Sequence, residues 1–387
     1  MIEADENTTT VVVGGGVAGL ALGNLLLRHG IECVVLERCH RDHVEQRQRS
    51  GALDGRSVRM LREWGLGEVV DDSTPVSAAA AGSPLRVDGE PRAWAVNDEA
   101  EEGVFCPQQV LVRNLIRTFL RDGGDLRFQA EDVRIEDATG DHPRVRYHDP
   151  DGATRVLGCE LIAGCDGDRG VSRESIPAEA RTTYALEHGY AWLAVLADTP
   201  ADPPAVMAIH SRGFAARITR GPQASRFYLQ CPLTDTPEHW PDERIRSELT
   251  ARFGTPVDTG RITDKRLVPL RSVVHEPMSH GRLHLLGDAA HIVSPMSAKG
   301  VSLALHDAAA FARAVIAQVR HGDGKPLAEY SATCLRHTWQ QQVSAVRITQ
   351  LMHDAGNPDY AGEFRRRLAR AELESALAAS GAADSSP

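Results

Sequence analysis

No run of lysines or arginines interrupts the 387 residues, and the formal charge is −10, from 43 basic and 53 acidic side chains. The electrostatic footprint of a nucleic-acid binder or of an anionic-membrane binder is therefore missing, and a small molecule is the expected partner. The seven cysteines form no CxxC pair, and their odd number does not suit a disulfide framework, so buried thiols in a reducing cytoplasm are expected. The one uncharged apolar stretch, Val11 to Leu27, has acidic and Thr-rich residues ahead of it and GGGVAG inside it. A signal peptide would need a basic leader and a membrane helix would not carry that glycine cluster, so neither is predicted. There is no GxSxG motif and no Cys/His nucleophile pair. His188, His210, His284, His291 and His353 lack metal-ligand spacing and read as structural or exposed, so no metal is expected. Internal repeats are absent too.

What is present begins with a βαβ opening: a strand over Thr8–Val13, a glycine turn, a helix over Val17–Gly30 and a strand over Glu32–Glu37. Helices are predicted near Asp54–Trp64 and over Gln108–Arg121, with a stretch between them (Asp71 to Gly103) that has no period. Alternating segments at Leu126–Gln129, Arg144–His148 and Thr154–Val156 precede a separate buried strand at Glu160–Ala163. Four runs, Trp192–Ala197, Ala205–His210, Phe214–Thr219 and Arg226–Cys231, are separated by Pro/Gly turns and predict an inserted, mainly antiparallel sheet. An apolar strand at Arg282–Leu286 then leads into helices at Gly300–Arg320, Pro326–Asp354 and Asp359–Ala378. The small, polar end from Ala379 reads as disordered.

Gly14, Gly16 and Gly19 satisfy GxGxxG between a strand and a helix, and Glu37 closes the next strand. The first glycine makes the tight turn, the second admits a pyrophosphate to the helix N-terminus, and the acid meets ribose hydroxyls. By itself the motif does not separate FAD from NAD. Asp166 and Asp288 each end a predicted buried strand, where ligands bind in open α/β sheets. Either alone would read as a plain turn; the order and distance of all three segments carry the weight.

The stretches GGGVAGLALGNLLLRHGIECVVLER, RQRSGALDGRSVRMLREWGL, CDGDRGVSRESIP, PLRSVVHEPMSHGRLHLLGDAAHIVSPMSAKG and LAEYSATCLRHTW together resemble the para-hydroxybenzoate hydroxylase family of flavoprotein aromatic monooxygenases, from Thr9 to about Ala378. The resemblance implies an α/β, Rossmann-like FAD-binding fold of the GR2 type with an inserted antiparallel substrate layer and C-terminal helices. The implied FAD-binding domain is discontinuous, over residues 9–72, 104–180 and 266–325. The substrate layer would take residues 73–103 and 181–265 and the C-terminal helices residues 326–378, with disordered ends at 1–8 and 379–387.

Carried over position by position, the resemblance implies that Glu37 holds the adenosine ribose and Arg49 the pyrophosphate. Gln108 and Asp288 would lie at the ribityl chain and Asp166 at the groove between the two cofactors. The helix starting at Lys299 and Gly300 would aim its amides at the flavin pyrimidine edge. Ser297 and Ser302 stand where the family usually has Gly and Asn. NADPH or NADH would be received on a surface groove by Arg38, His43, Arg47, Arg169 and Arg271, with Arg41 in the same basic cluster; His43 replaces a tyrosine and Arg169 a histidine. In the substrate pocket Arg220 and Tyr228 match the family's carboxylate anchor, Ile218 replaces a serine that donates there, and Met207 replaces the phenol-activating tyrosine. The second relay tyrosine has no counterpart in the chain. Pro295, followed by Met296, keeps a carbonyl for a ring hydroxyl or amine.

The implied reaction is hydroxylation of an aromatic carboxylic acid by non-covalent FAD, NAD(P)H and O2 through a flavin hydroperoxide, with 4-hydroxybenzoate or an amino- or hydroxybenzoate analogue as substrate. Related flavin chemistry (N-oxidation or oxidative decarboxylation) and a flavin-binding regulator or reductase are the alternatives. Dimerisation through the C-terminal helices is left open.

Overall fold

The computed structural model describes residues 4–47, 51–75, 85–92, 103–200, 205–220 and 223–383. The chain divides into two compact units, one of Met1–Ser73, Gly103–Ala185 and Ser272–Val343, the other of Thr74–Glu102, Leu186–Arg271 and Ser344–Pro387.

The first unit is built on the strand Glu6–Val13, whose last four residues are buried. It starts two residues earlier than the pattern predicted, so Glu6 to Thr8 belong to the sheet and not to a disordered N-terminus. The strand pairs in parallel with Cys33–Glu37 on one side and with Thr154–Gly164 on the other. Asp125–Phe128 and Leu283–Leu285 extend the sheet in parallel at its two flanks. Register places Val13 beside Leu36 and Gly164, and Gly164 beside Leu285, so these strands end level with one another. Glu37, the last residue of its strand, and the residues just beyond the others, Gly14, Cys165-Asp166 and Gly287-Asp288, therefore emerge on one edge of the sheet, the edge where open α/β sheets bind ligands.

One strand differs from its expected form. Thr154–Val156 and Glu160–Ala163 are a single strand, Thr154–Gly164, because Gly158 is paired on both sides, with Asn7 and with Arg144, and so does not break it. The helix Val17–Arg28 covers the sheet and is tied to the helix Gln108–Arg121 by the buried Asn24, which donates to Leu20 O at 2.8 Å and Leu115 O at 3.1 Å. Among the described helices, Gly300–His321 alone has the length and apolarity of a membrane span. Leu305, Phe311 and Val315 of that helix are buried in this unit's own core.

In the second unit, Tyr190–Ala197, Ser225–Pro232, Gly213–Thr219 and Ala205–His210 form an antiparallel sheet, with Leu85–Val87 added in parallel to the last. Ala191, Leu193, Val195, Phe227 and Leu229 pack on Ile245, Leu249 and Phe253 of the helix Asp242–Phe253. The apolar period gives little sign of this helix, because Glu248 and Arg252 share its buried face. Arg252 donates to Glu248 Oε2 at 3.1 Å, Phe214 O at 2.8 Å and Gln230 O at 3.0 Å, which compensates a buried guanidinium. At the C-terminus the predicted helix is broken at Gly362 (φ 78°) into Pro358–Ala361 and Glu363–Ala383, and the second piece runs past Ala379 into the stretch read as disordered.

Candidate functional site

The glycine turn is built for close backbone approach. Gly14 has φ 111°, and a Cβ there would sit 2.4 Å from Cys165 O; a Cβ on Gly19 would sit 2.0 Å from Gly14 O. Both positions exclude any side chain. Around Gly16 nothing lies within 4 Å of an added Cβ, and Gly16 caps the helix Val17–Arg28 with no side-chain hydrogen bond. Open space thus faces an uncapped helix N-terminus, the geometry that receives a pyrophosphate. The Glu37 carboxylate accepts from Gly15 N–H at 2.9 Å and Cys39 N–H at 2.8 Å, which fixes it at the turn.

Asp166 follows the adjoining strand. Its Oδ2 accepts from Ser172 N–H at 2.8 Å and Ser172 Oγ at 3.0 Å, while Oδ1 is buried without a hydrogen-bond partner. Burial raises its pKa against the pull of the Ser172 bonds. Gly170 is needed here, because a Cβ would fall 2.0 Å from Asp166 Cγ. An orphaned carboxylate oxygen beside the Gly14 turn suits a polar ligand group.

Asp288 lies in the single-turn helix Gly287–Ala289. The turn is held from below by Asp307, whose Oδ2 accepts from Gly287 N–H at 3.0 Å and from His291 Nε2 at 2.7 Å. Both side chains are buried. Burial alone would lower the His291 pKa, and the Asp307 carboxylate raises it beyond that; in return His291 helps hold Asp307 well below the usual carboxylate range. Pro295 and Met296 form the next short turn, which ends at Ala298 with φ 52°. Ser297 Oγ donates to Ser294 O at 2.8 Å, so the hydroxyl at a position where the resemblance implies glycine is absorbed locally.

Lys299 caps the helix Gly300–His321 and donates to Asp54 Oδ2 at 2.8 Å. Asp54 also accepts from Ser57 N–H at 2.9 Å and so caps the helix Gly55–Glu63. Burial opposes ionisation of Asp54, yet the Lys299 and Ser57 bonds bring its pKa down to about 2. A carboxyl depressed in the folded state stabilises the fold above its unfolded value near 3.8, and that stability is lost as pH falls toward 2. Asp54→Asn is expected to lower stability to urea at pH 7 and to bring variant and wild type together between about pH 4 and pH 2. A constant gap across that range would show that the carboxylate is not what matters. Sequence reasoning did not find Asp54; the pair spans 245 positions, and only the fold joins it.

Gln108 is the first residue of its helix and is half-buried. Arg38, His43, Arg47 and Arg169 are all exposed, and Arg271 is half-buried. Arg49 lies outside the described residues. Just beyond it, Gly51 allows the pairing of Ala52–Leu53 with Val104–Phe105, since a Cβ there would meet Cys106 O at 1.7 Å.

The second unit brings the substrate candidates onto one sheet face. Met207 pairs with Ala216, and Ala216 with Tyr228; Ile218 is the next residue but one after Ala216. Arg220 follows the strand end and donates from Nη2 to Tyr228 Oη at 3.3 Å, while its Nε is buried without a partner. This face is aromatic. Trp192 lies 4.6 Å from Tyr228 and 5.7 Å from Phe214, ring to ring. Trp192 Nε1 donates to His353 Nε2 at 2.7 Å, and His353 Nδ1 donates to Thr349 O at 2.7 Å.

Both imidazole nitrogens are therefore used, and burial brings the His353 pKa down to about 3. A neutral buried histidine that charges on unfolding makes stability fall as pH drops from about 6.5 toward 3. His353→Leu leaves the indole N–H buried and unpaired, an expected loss of about 1–3 kcal/mol in urea unfolding at pH 7, with His353→Gln losing less. Equal losses for the two variants would deny the bond its role.

Known proteins resemble this chain over most of its length. A family model described as an FAD binding domain matches residues 7–344. The chain is 33% identical to p-hydroxybenzoate hydroxylase of Acinetobacter baylyi over 375 residues, 95% of this chain and 90% of that protein. It is 27% identical to 3-amino-4-hydroxybenzoate 2-monooxygenase of Streptomyces cremeus, over 94% of this chain and 93% of that one. The fold superposes on p-nitrophenol 4-monooxygenase of Pseudomonas putida with a TM-score of 0.79 at 20% identity, covering 96% of this chain and 94% of the other. With an FAD binding domain, the chain belongs to the para-hydroxybenzoate hydroxylase family of flavoprotein aromatic monooxygenases, for which NAD(P)H and O2 are the typical co-substrates.

Proposed function

We propose that this monooxygenase hydroxylates an aromatic carboxylic acid, either 4-hydroxybenzoate or an amino- or hydroxybenzoate analogue. The observation that carries the reading is the Arg220–Tyr228 pair on the aromatic sheet face, with a buried guanidinium Nε left for a further acceptor. A planar fork of N–H donors pairs with a carboxylate in two parallel bonds. The S. cremeus relative, whose name states an amino-hydroxybenzoate substrate, supports the same class.

The chemistry would be supplied by bound FAD, which with NAD(P)H and O2 would deliver an electrophilic oxygen to the ring. In this reading Gly14, Gly16 and Gly19 admit the pyrophosphate, Glu37 takes the adenosine ribose, and Gln108 and Asp288 serve the ribityl chain, with Arg49 assigned to the pyrophosphate. The helix N-terminus at Gly300, with Lys299 at its cap, would place positive potential at the flavin pyrimidine edge and stabilise negative charge there. Arg38, His43, Arg47, Asp166, Arg169 and Arg271 are assigned to the nicotinamide cofactor's groove. Arg220 and Tyr228 orient the acid, and the Pro295 carbonyl accepts from a ring hydroxyl or amine, with Met296 beside it. Met207 and Ile218 exclude water without taking a proton, so ring activation rests on the substrate's own donor group. Seven free thiols fit a cytoplasmic setting.

A panel of benzoates, aminobenzoates and larger aromatic acids, scored by NAD(P)H oxidation and product mass, tests this. The expected result is one added oxygen in a small hydroxy- or aminobenzoate, coupled to reductant use. Stimulated oxidation with no oxygenated product would identify a reductase instead, and loss of carbon dioxide would identify oxidative decarboxylation.

A further inference from the structure

In the first unit, the helix Gly300–His321 and the N-terminal part of the helix Lys325–Asp354 bring His306, Asp307 and Cys334 together with their donor atoms all within 4.8 Å of one another. Asp307 and Cys334 are fully buried, and the His306 side chain is 27% exposed. Asp307 uses only Oδ2 in its bonds to Gly287 and His291; Oδ1 is buried and has no hydrogen-bond partner. The His306 Nδ1 is likewise buried without a partner, and it stands 3.7 Å from Asp307 Oδ1, too far to bond to it.

Two orphaned donors at that separation leave room for a shared ion, because nitrogen and oxygen ligands each about 2.0–2.2 Å from a metal lie more than 3 Å from one another. We propose that His306 Nδ1, Asp307 Oδ1 and Cys334 Sγ bind one divalent cation of the zinc class. Mixed nitrogen, oxygen and sulfur donors select such a borderline-soft ion over magnesium or calcium. The carboxylate is already oriented from behind by the Gly287 N–H and by His291, the kind of outer partner that ligating groups at metal sites have. His337 stacks on His306 at a centroid distance of 4.0 Å and so helps fix the orientation of that ring. Binding displaces the Cys334 thiol proton to solvent, with no change of oxidation state, so one H+ leaves for each ion taken up. No spacing along the sequence signals the site, because its ligands come from adjacent residues on one helix and a single residue on the next.

The test titrates zinc chloride into chelator-treated FAD holoenzyme by calorimetry in two buffers of different protonation enthalpy. One zinc per chain with one proton released is expected, and zinc-edge absorption should show a single sulfur at about 2.3 Å. Cys334→Ser and His306→Gln should each weaken binding at least tenfold, since even outer-partner changes at metal sites cost about 10–100-fold. Variant melting temperature and FAD occupancy, measured without zinc, check that each variant is folded. Absence of binding tighter than about 100 µM, or binding unchanged in both variants, overturns the proposal.

Discussion

Replacing Gly14 by alanine is expected to leave a protein that holds no FAD and unfolds well below the wild type. At φ 111° an alanine is strained, and its Cβ would meet the Cys165 carbonyl at 2.4 Å, backbone against backbone with nothing flexible to move. Strain of about 1–3 kcal/mol and overpacking of about 1–3 kcal/mol together approach half of an ordinary domain's stability. Gly16→Ala separates this from cofactor binding proper. Its added Cβ meets nothing within 4 Å, so the FAD-free variant should melt within about 2 °C of FAD-free wild type. The same methyl occupies the space a pyrophosphate needs, so FAD affinity should fall at least tenfold, roughly 1.4 kcal/mol. Differential scanning with and without FAD, together with the flavin absorbance of purified protein, reads both effects. A Gly16→Ala protein with full flavin occupancy would move the phosphates away from this turn.

The parts legible in the sequence are those where one local pattern implies one local structure. The GxGxxG turn, Glu37 at a strand end and the helix Gln108–Arg121 all follow from period and turn chemistry, and the helix bounds agree with the pattern to the residue. The family resemblance supplied what geometry of that kind does not, the distinction of FAD from NAD. Features that rest on partners distant in sequence stayed hidden. Asp54 looks like an ordinary helix cap until Lys299 reaches it, and His353 looks like a helix-surface histidine until Trp192 donates to it. Asp307 sits in an alanine-rich helix with no local reason for a charge; the fold provides that reason through Gly287 and His291. Buried polar residues on amphipathic elements weaken the apolar period, which is also why Asp242–Phe253 escaped notice.

Arg220→Ala is expected to raise the KM of the aromatic acid about ten- to a hundredfold with a smaller change in kcat, the loss of one charge-assisted contact of roughly 1.5–3 kcal/mol. Arg220→Lys should recover only part of this, since an ammonium offers a point charge where the guanidinium offers a fork. Tyr228→Phe should cost less again, about 0.5–1.5 kcal/mol, because it removes a neutral hydroxyl and keeps the ring packed on Trp192. If Arg220→Ala leaves KM unchanged, the substrate is not anchored through a carboxylate on this face. Position 207 is where the means of ring activation is tested. It stands in the same cross-strand row as Ala216 and Tyr228, and a thioether cannot take a proton from a phenol. Met207→Tyr places a hydroxyl in that row and is expected to raise coupled turnover of 4-hydroxybenzoate, with less effect on an aminobenzoate whose amine already donates to the ring. Wild-type turnover of 4-hydroxybenzoate that is already tightly coupled, with no gain from Met207→Tyr, would show that phenol activation in this enzyme does not pass through position 207.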